Sequence, residues 1–143
     1  MEGAAGEGVS LNHIAIESSD IKRLTKFYKE MFGFEEVETP NFGDNHFKIV
    51  WMSLPPSSSS SSFLLHLLQR VKNEEDEAPP SSSIVKDPSH VRTGQHLCFS
   101  ISNFYSFLQT LKEKGIEIVE TNNNIRRVFF YDPDGNGLEV VSF

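Results

Sequence analysis

Gly33-Phe34-Glu35-Glu36-Val37-Glu38-Thr39 recurs 82 residues later as Gly115-Ile116-Glu117-Ile118-Val119-Glu120-Thr121. Upstream, Asn12-His13-Ile14-Ala15-Ile16 matches Gln95-His96-Leu97-Cys98-Phe99 at a spacing of 83, so one extra residue in the intervening helix reconciles the two offsets. Self-similarity at a near-constant spacing marks a structural unit present twice.

Both copies carry the same local signals in the same order. In the first, Leu11 to Glu17 alternates as a strand does, Ser19 and Asp20 offer an N-cap, and Ile21, Leu24, Tyr28 and Met31 recur with helical period until Gly33. Strands are predicted near Phe34 to Thr39, His46 to Leu54 and Phe63 to Gln69. The second copy predicts a strand over Gln95 to Ile101, a cap at Ser102 or Asn103, and a helix on Phe104, Phe107, Leu108 and Leu111 that Gly115 ends. Strands follow near Glu117 to Thr121, Arg126 to Tyr131 and Leu138 to Phe143. Each half reads β-α-β-β-β, an α+β arrangement in which two modules build an open, curved mixed sheet, a half-barrel.

The expected organisation is a flexible N-terminus (1–9), a first module (10–71), a linker (72–93) and a second module (94–143). Pro55 to Ser62, with six consecutive serines, reads as a solvated insertion in the first module, and the acidic, Pro- and Ser-rich stretch after it as solvated linker.

At 143 residues, with 38% apolar and 23% charged residues, the chain has enough hydrophobic content for a packed core. Its 13 basic and 20 acidic side chains leave a formal charge of −7 without a basic cluster, which argues against nucleic acid and anionic membranes as partners. The longest apolar stretch, Phe63 to Leu68 around His66, is too short to span a bilayer, and Met1 to Gly8 lacks a signal pattern. A single cysteine, Cys98, forms no internal disulfide; with no export signal this points to the cytoplasm, and its setting between Leu97 and Phe99 reads as small buried filler.

Strand alternation places His13, Ala15 and Glu17 on one face with Ile14 and Ile16 on the other, and likewise His96, Cys98 and Ser100 opposite Leu97, Phe99 and Ile101. Both copies thus set a histidine on the side away from their helix. The last strand of each adds one polar group to an aliphatic run: His66 in Phe63-Leu64-Leu65-His66-Leu67-Leu68, and Glu139 in Leu138-Glu139-Val140-Val141. A carboxylate among aliphatics is costly to bury without a counter-charge, and a cation supplies one. If repeat symmetry gathers these strands, three imidazoles and a carboxylate make a donor set suited to Zn²⁺, Ni²⁺, Co²⁺, Mn²⁺ or Fe²⁺. His46 and His90 have no counterpart in the other copy and read as surface residues.

Val128-Phe129-Phe130-Tyr131-Asp132-Pro133-Asp134-Gly135-Asn136-Gly137-Leu138-Glu139 resembles the aromatic strand, Asp-Pro-Asp-Gly turn and final ligand glutamate of the vicinal oxygen chelate superfamily, and within it the glyoxalase I-like proteins. Leu11-Asn12-His13-Ile14-Ala15, Phe27-Tyr28 and Phe32-Gly33-Phe34 are similar to it as well, and the likeness runs from Leu11 to Phe143. The resemblance implies metal ligands at His13, His66, His96 and Glu139, with Glu139 as catalytic base. The implied reaction is a divalent-metal lyase or isomerase step on a small oxygenated or glutathione-conjugated substrate, of the lactoylglutathione lyase type, in which the ion chelates two neighbouring oxygens.

Two positions depart from glyoxalase I: a carboxylate of that enzyme is replaced by His66, and an arginine of its first strand by Glu17. Arg92 matches a glutathione-contacting arginine of the family, and Arg70 offers a second cation. The departures keep two alternatives open, a non-catalytic small-molecule binding module and an Fe(II) extradiol-type dioxygenase built on His13, His96 and Glu139. By analogy with two-module relatives the expected assembly is a homodimer.

Overall fold

The computed structural model describes residues 5–40, 48–54, 64–70 and 86–142. The chain divides into two compact units, Met1–Glu75 and Asp76–Phe143. In the first, β1 (His13–Ser18), α1 (Ile21–Phe32), β2 (Glu35–Val37), β3 (Ile49–Ser53) and β4 (Leu64–Gln69) form a four-stranded sheet in the order β1-β4-β3-β2. In the second, a short 3-10 turn (Pro88–His90) precedes β5 (His96–Ser100), α2 (Phe104–Glu113), β6 (Ile118–Asn122), β7 (Arg127–Tyr131) and β8 (Gly137–Val141), ordered β5-β8-β7-β6. The two βαβββ modules of the sequence reading are therefore present, each an open mixed sheet with one parallel pair, β1 with β4 and β5 with β8. His46 and the serine insertion at 55–62 lie outside the described residues, as does most of the linker; its described end carries the 3-10 turn.

Capping explains where the helices start. The Asp20 side chain accepts from Arg23 N at 3.1 Å, and the Asn103 side chain accepts from Ser106 N at 3.1 Å, each satisfying a first-turn N–H that the helix leaves unpaired. A glycine in the left-handed region follows each helix, Gly33 as the C-cap of α1 at φ 73° and Gly115 just after the Lys114 C-cap of α2 at φ 68°, and the next residue folds back: Phe34 N donates to Tyr28 O and Ile116 N to Leu111 O. Because the same device closes both helices, the glycine-led motif is the part of the repeat easiest to see in the sequence.

The helices cover one face of each sheet. Leu24 and Tyr28 of α1 are fully buried with Leu65, Leu67 and Met52, and Phe104 and Leu111 of α2 with Val128, Phe130, Leu138 and Val140. Truncating Leu24 or Leu111 to alanine would cost about 2–5 kcal/mol through lost burial and the cavity left behind. Gln69 joins β4 to the start of α1: its Oε1 accepts from Ile21 N at 2.9 Å and its Nε2 donates to Ser19 O at 2.9 Å. The opposite sheet faces carry His13, His66, His96 and Glu139.

Candidate metal centre

The register reproduces the equivalence expected from the repeat. Ala15 pairs with His66 across β1 and β4, and Cys98 pairs with Glu139 across β5 and β8, so His13 and His96 each stand two residues before the partner of the central polar group. One strand further over, Trp51 is opposite His66 and Phe129 is opposite Glu139.

In the first unit the structure brings His13 and His66 together, with ring centroids 3.8 Å apart and planes within 13°. On the other side of His66, Trp51 stacks at 4.2 Å and 11°. His66 is 7% exposed, and its Nε2 has no hydrogen-bond partner among the described residues. Burial, and then the neighbouring His13, hold its pKa below the ordinary histidine value. A neutral imidazole with an unused nitrogen is the form a divalent ion binds.

In the second unit His96 and Glu139 meet. His96 Nε2 lies 2.9 Å from Glu139 Oε2, and His96 Nδ1 lies 2.8 Å from Gly94 O. Arg127 Nε is 2.8 Å from Glu139 Oε1, a charge pairing in which the N–H is not aligned on the oxygen. Two cationic or potentially cationic groups thus offset the charge of a carboxylate that is only 9% exposed. Asp132 prepares the strand for it: Oδ1 accepts from Asp134 N and Asn136 N, both at 2.9 Å, and Oδ2 from Asn136 Nδ2 at 2.7 Å. These bonds close the turn that launches β8 and sets Glu139.

Each unit by itself gathers two of the four predicted ligands; no group of three His, Cys, Asp or Glu side chains suited to a metal ion occurs among the described residues. As donors the two pairs fit a borderline divalent cation: imidazole nitrogens and a carboxylate, one nitrogen buried and unsatisfied.

The remaining predicted site residues are engaged in ion pairs. Arg70 Nε lies 2.5 Å from Glu17 Oε1, so the acidic residue that departs from the glyoxalase pattern is matched by a cation at the end of β4. Arg92 pairs with Glu120. Cys98 corrects the sequence reading: it is exposed, because alternation puts it on the outer face with His96 and Ser100, away from α2. Partial burial, followed by the charge of Glu139 and a hydrogen bond to it, pushes its thiol pKa up, so it lacks the thiolate character of a nucleophile.

Sequence reasoning missed Trp51 and Arg127, although alternation back from Phe129 places Arg127 on the outer face. It also left unread the cluster Asp87, Ser89 and His90. There Asp87 Oδ2 and Ser89 Oγ both approach His90 Nδ1, at 2.6 and 3.0 Å, so the hydroxyl is on the wrong nitrogen for a Ser-His-Asp relay. Asp87 instead caps the 3-10 turn by accepting from Ser89 N, and the Ser89 and His90 bonds hold its carboxyl below the usual carboxylate range.

Paired mixed-sheet modules with polar groups at equivalent outer positions define a protein of the vicinal oxygen chelate fold. Residues 10–140 match the Glyoxalase/Bleomycin resistance protein/Dioxygenase superfamily, and the chain belongs to that family. Glyoxalase I of Saccharomyces cerevisiae is 26% identical over 145 residues, covering 93% of this chain and 44% of that protein, so the chain spans less than half of that relative's length. The structure of Leishmania major glyoxalase I, described as trypanothione-dependent, superposes with a TM-score of 0.67 at 17% identity, over 94% of this chain and 87% of that one. The fosfomycin resistance protein FosX of Listeria monocytogenes, solved with Mn(II), gives 0.63 at 18% identity, over 92% and 90%. Among the described residues no helix is long and apolar enough to cross a membrane.

Proposed function

We propose that His13, His66, His96 and Glu139 are ligands to a divalent ion, and that the protein is a metal-dependent lyase or isomerase of the glyoxalase I type. The observation that carries this reading is the shared register: the same two positions of both modules hold imidazole or carboxylate donors. Zn²⁺, Ni²⁺, Co²⁺, Mn²⁺ and Fe²⁺ all accept such a set. When bound, the ion supplies Lewis-acid polarisation of two adjacent substrate oxygens. Glu139 is the base: its carboxylate accepts the proton from one substrate carbon and returns it to the neighbouring carbon, an isomerisation with no net loss or gain. Arg127 and His96 hold that carboxylate in place and offset its charge. The proposed setting is cytoplasmic and the proposed assembly a homodimer.

The glyoxalase relatives favour a small oxygenated or glutathione-conjugated substrate. A specific observation favours a second reading, a binding module without turnover: Arg70 and Arg92, the cations available for an anionic tail, are each already paired with a carboxylate. Metal analysis of the purified full chain, followed by assay with methylglyoxal and glutathione, separates the readings. About one ion per four-ligand set and lactoylglutathione formation that disappears in Glu139→Gln are expected of the enzyme. Bound ion with no product across thiol-conjugate and CoA-ester substrates would leave the binding module.

A further inference from the structure

A ligand histidine ordinarily has its second ring nitrogen tied by a hydrogen bond, which fixes tautomer and ring orientation. Two of the three imidazoles here follow that rule: His13 Nδ1 lies 2.7 Å from Asn12 Oδ1, and His96 Nδ1 lies 2.8 Å from Gly94 O. His66 does not. None of the hydrogen bonds among the described residues reaches its ring, and its Nε2 is buried without a partner.

We propose that Trp51 is the positioning residue for His66, fixing the imidazole plane by stacking in place of the missing hydrogen bond; the inference rests on the metal-site reading above. Trp51 is the cross-strand partner of His66, and its indole lies 4.2 Å from the imidazole at 11°. With His13 at 3.8 Å on the opposite side, the ring of His66 is held between two nearly parallel planes. Rotation about its Cβ–Cγ bond would drive the ring edge into the indole face, so the tilt is set. Stacking occupies only the faces of the ring, whereas the nitrogen lone pairs lie in its plane and stay available to a cation. The second module shows the other solution. There the register counterpart of Trp51 is Phe129, which meets His96 edge-on at 5.6 Å and 81°, and the Gly94 carbonyl orients the imidazole.

Co²⁺ titration of the full chain tests this with two readouts besides activity: visible absorption of the bound ion, and emission from Trp51, the only tryptophan. In the unsubstituted chain, emission is expected to be quenched in step with the visible bands. Trp51→Phe, which keeps an aromatic plane, is expected to bind within about threefold of the unsubstituted chain, while Trp51→Leu loses about tenfold or more in affinity and shifts the bands. A Trp51→Leu variant with unchanged affinity and bands, beside a His66→Ala variant that loses binding, would overturn the positioning role and leave the metal site standing. Saturable Co²⁺ binding that leaves Trp51 emission unmoved would do the same without any variant. No saturable binding by the unsubstituted chain would overturn both readings.

Discussion

Arg127 Nε stands 2.8 Å from Glu139 Oε1, leaving Oε2 to His96. The guanidinium is about a third exposed and the carboxylate is not, so removing the arginine strands a mostly buried charge. Arg127→Met keeps the aliphatic stem and is expected to lower stability by about 1–2 kcal/mol, between the values for surface and buried pairs. Urea unfolding in the presence of a chelator measures it, and a midpoint equal to that of the unsubstituted chain would show that the pair contributes nothing.

His66 represents the opposite case, a polar ring in an aliphatic strand with a buried nitrogen that bonds nothing in the described protein. His66→Leu removes that unsatisfied atom at the loss of two ring stacks. The expected outcome is a metal-free protein as stable as the unsubstituted chain or about 1 kcal/mol more stable, with ion binding abolished. Chelator-treated unfolding combined with metal analysis checks both halves; a variant that still holds its ion would remove His66 from the ligand set.

Acid should weaken the first module through the same residue. The folded pKa of His66 lies below the ordinary value of about 6.5 because burial and then His13 disfavour its charged form. As pH falls through about 6.5, the unfolded chain takes up a proton that the folded chain refuses, so stability drops until the folded pKa is reached. Above that window both states are neutral and this contribution is constant. Metal-free unfolding at a series of pH values should give a steeper acid decline for the unsubstituted chain than for His66→Leu, and parallel curves would contradict the assignment.

Asp132 ties three donors into the turn before β8 while being almost fully buried. Hydrogen bonds to a charged acceptor contribute about 1.5–3 kcal/mol each but not additively, so Asp132→Ala is expected to cost about 2–4 kcal/mol in stability. Thermal unfolding gives the number. Because the turn sets Glu139, ion affinity should fall with it, and a destabilised variant with unchanged affinity would show that β8 holds the carboxylate unaided.

The parts of this molecule legible in the sequence are those governed by local rules. Asp20, Asn103, Gly33 and Gly115 act within a turn of where they stand, and the two-residue strand period alone sends His13 and His96 to the outer face. The pairings that escaped depend on partners far along the chain. Arg70 finds Glu17 at a separation of 53 residues and Arg92 finds Glu120 at 28. Trp51 looks like core until its strand is paired with β4, and only then does it stand beside His66. For Cys98 the apolar company of Leu97 and Phe99 suggested burial, but strand alternation turns it to the opposite side of β5, where it is exposed.

The Gln69 amide can reach Ile21 N and Ser19 O only while β4 is held in frame with β1. Displacing β4 by a single step would move the amide about 3.3 Å and turn it to the other side of the sheet, where the first turn of α1 is out of reach. The same step would put leucine where the imidazole now looks outward. A glutamine side chain at the helix entrance therefore indexes the strand, and through it decides whether that position of the first module presents an imidazole or a hydrocarbon.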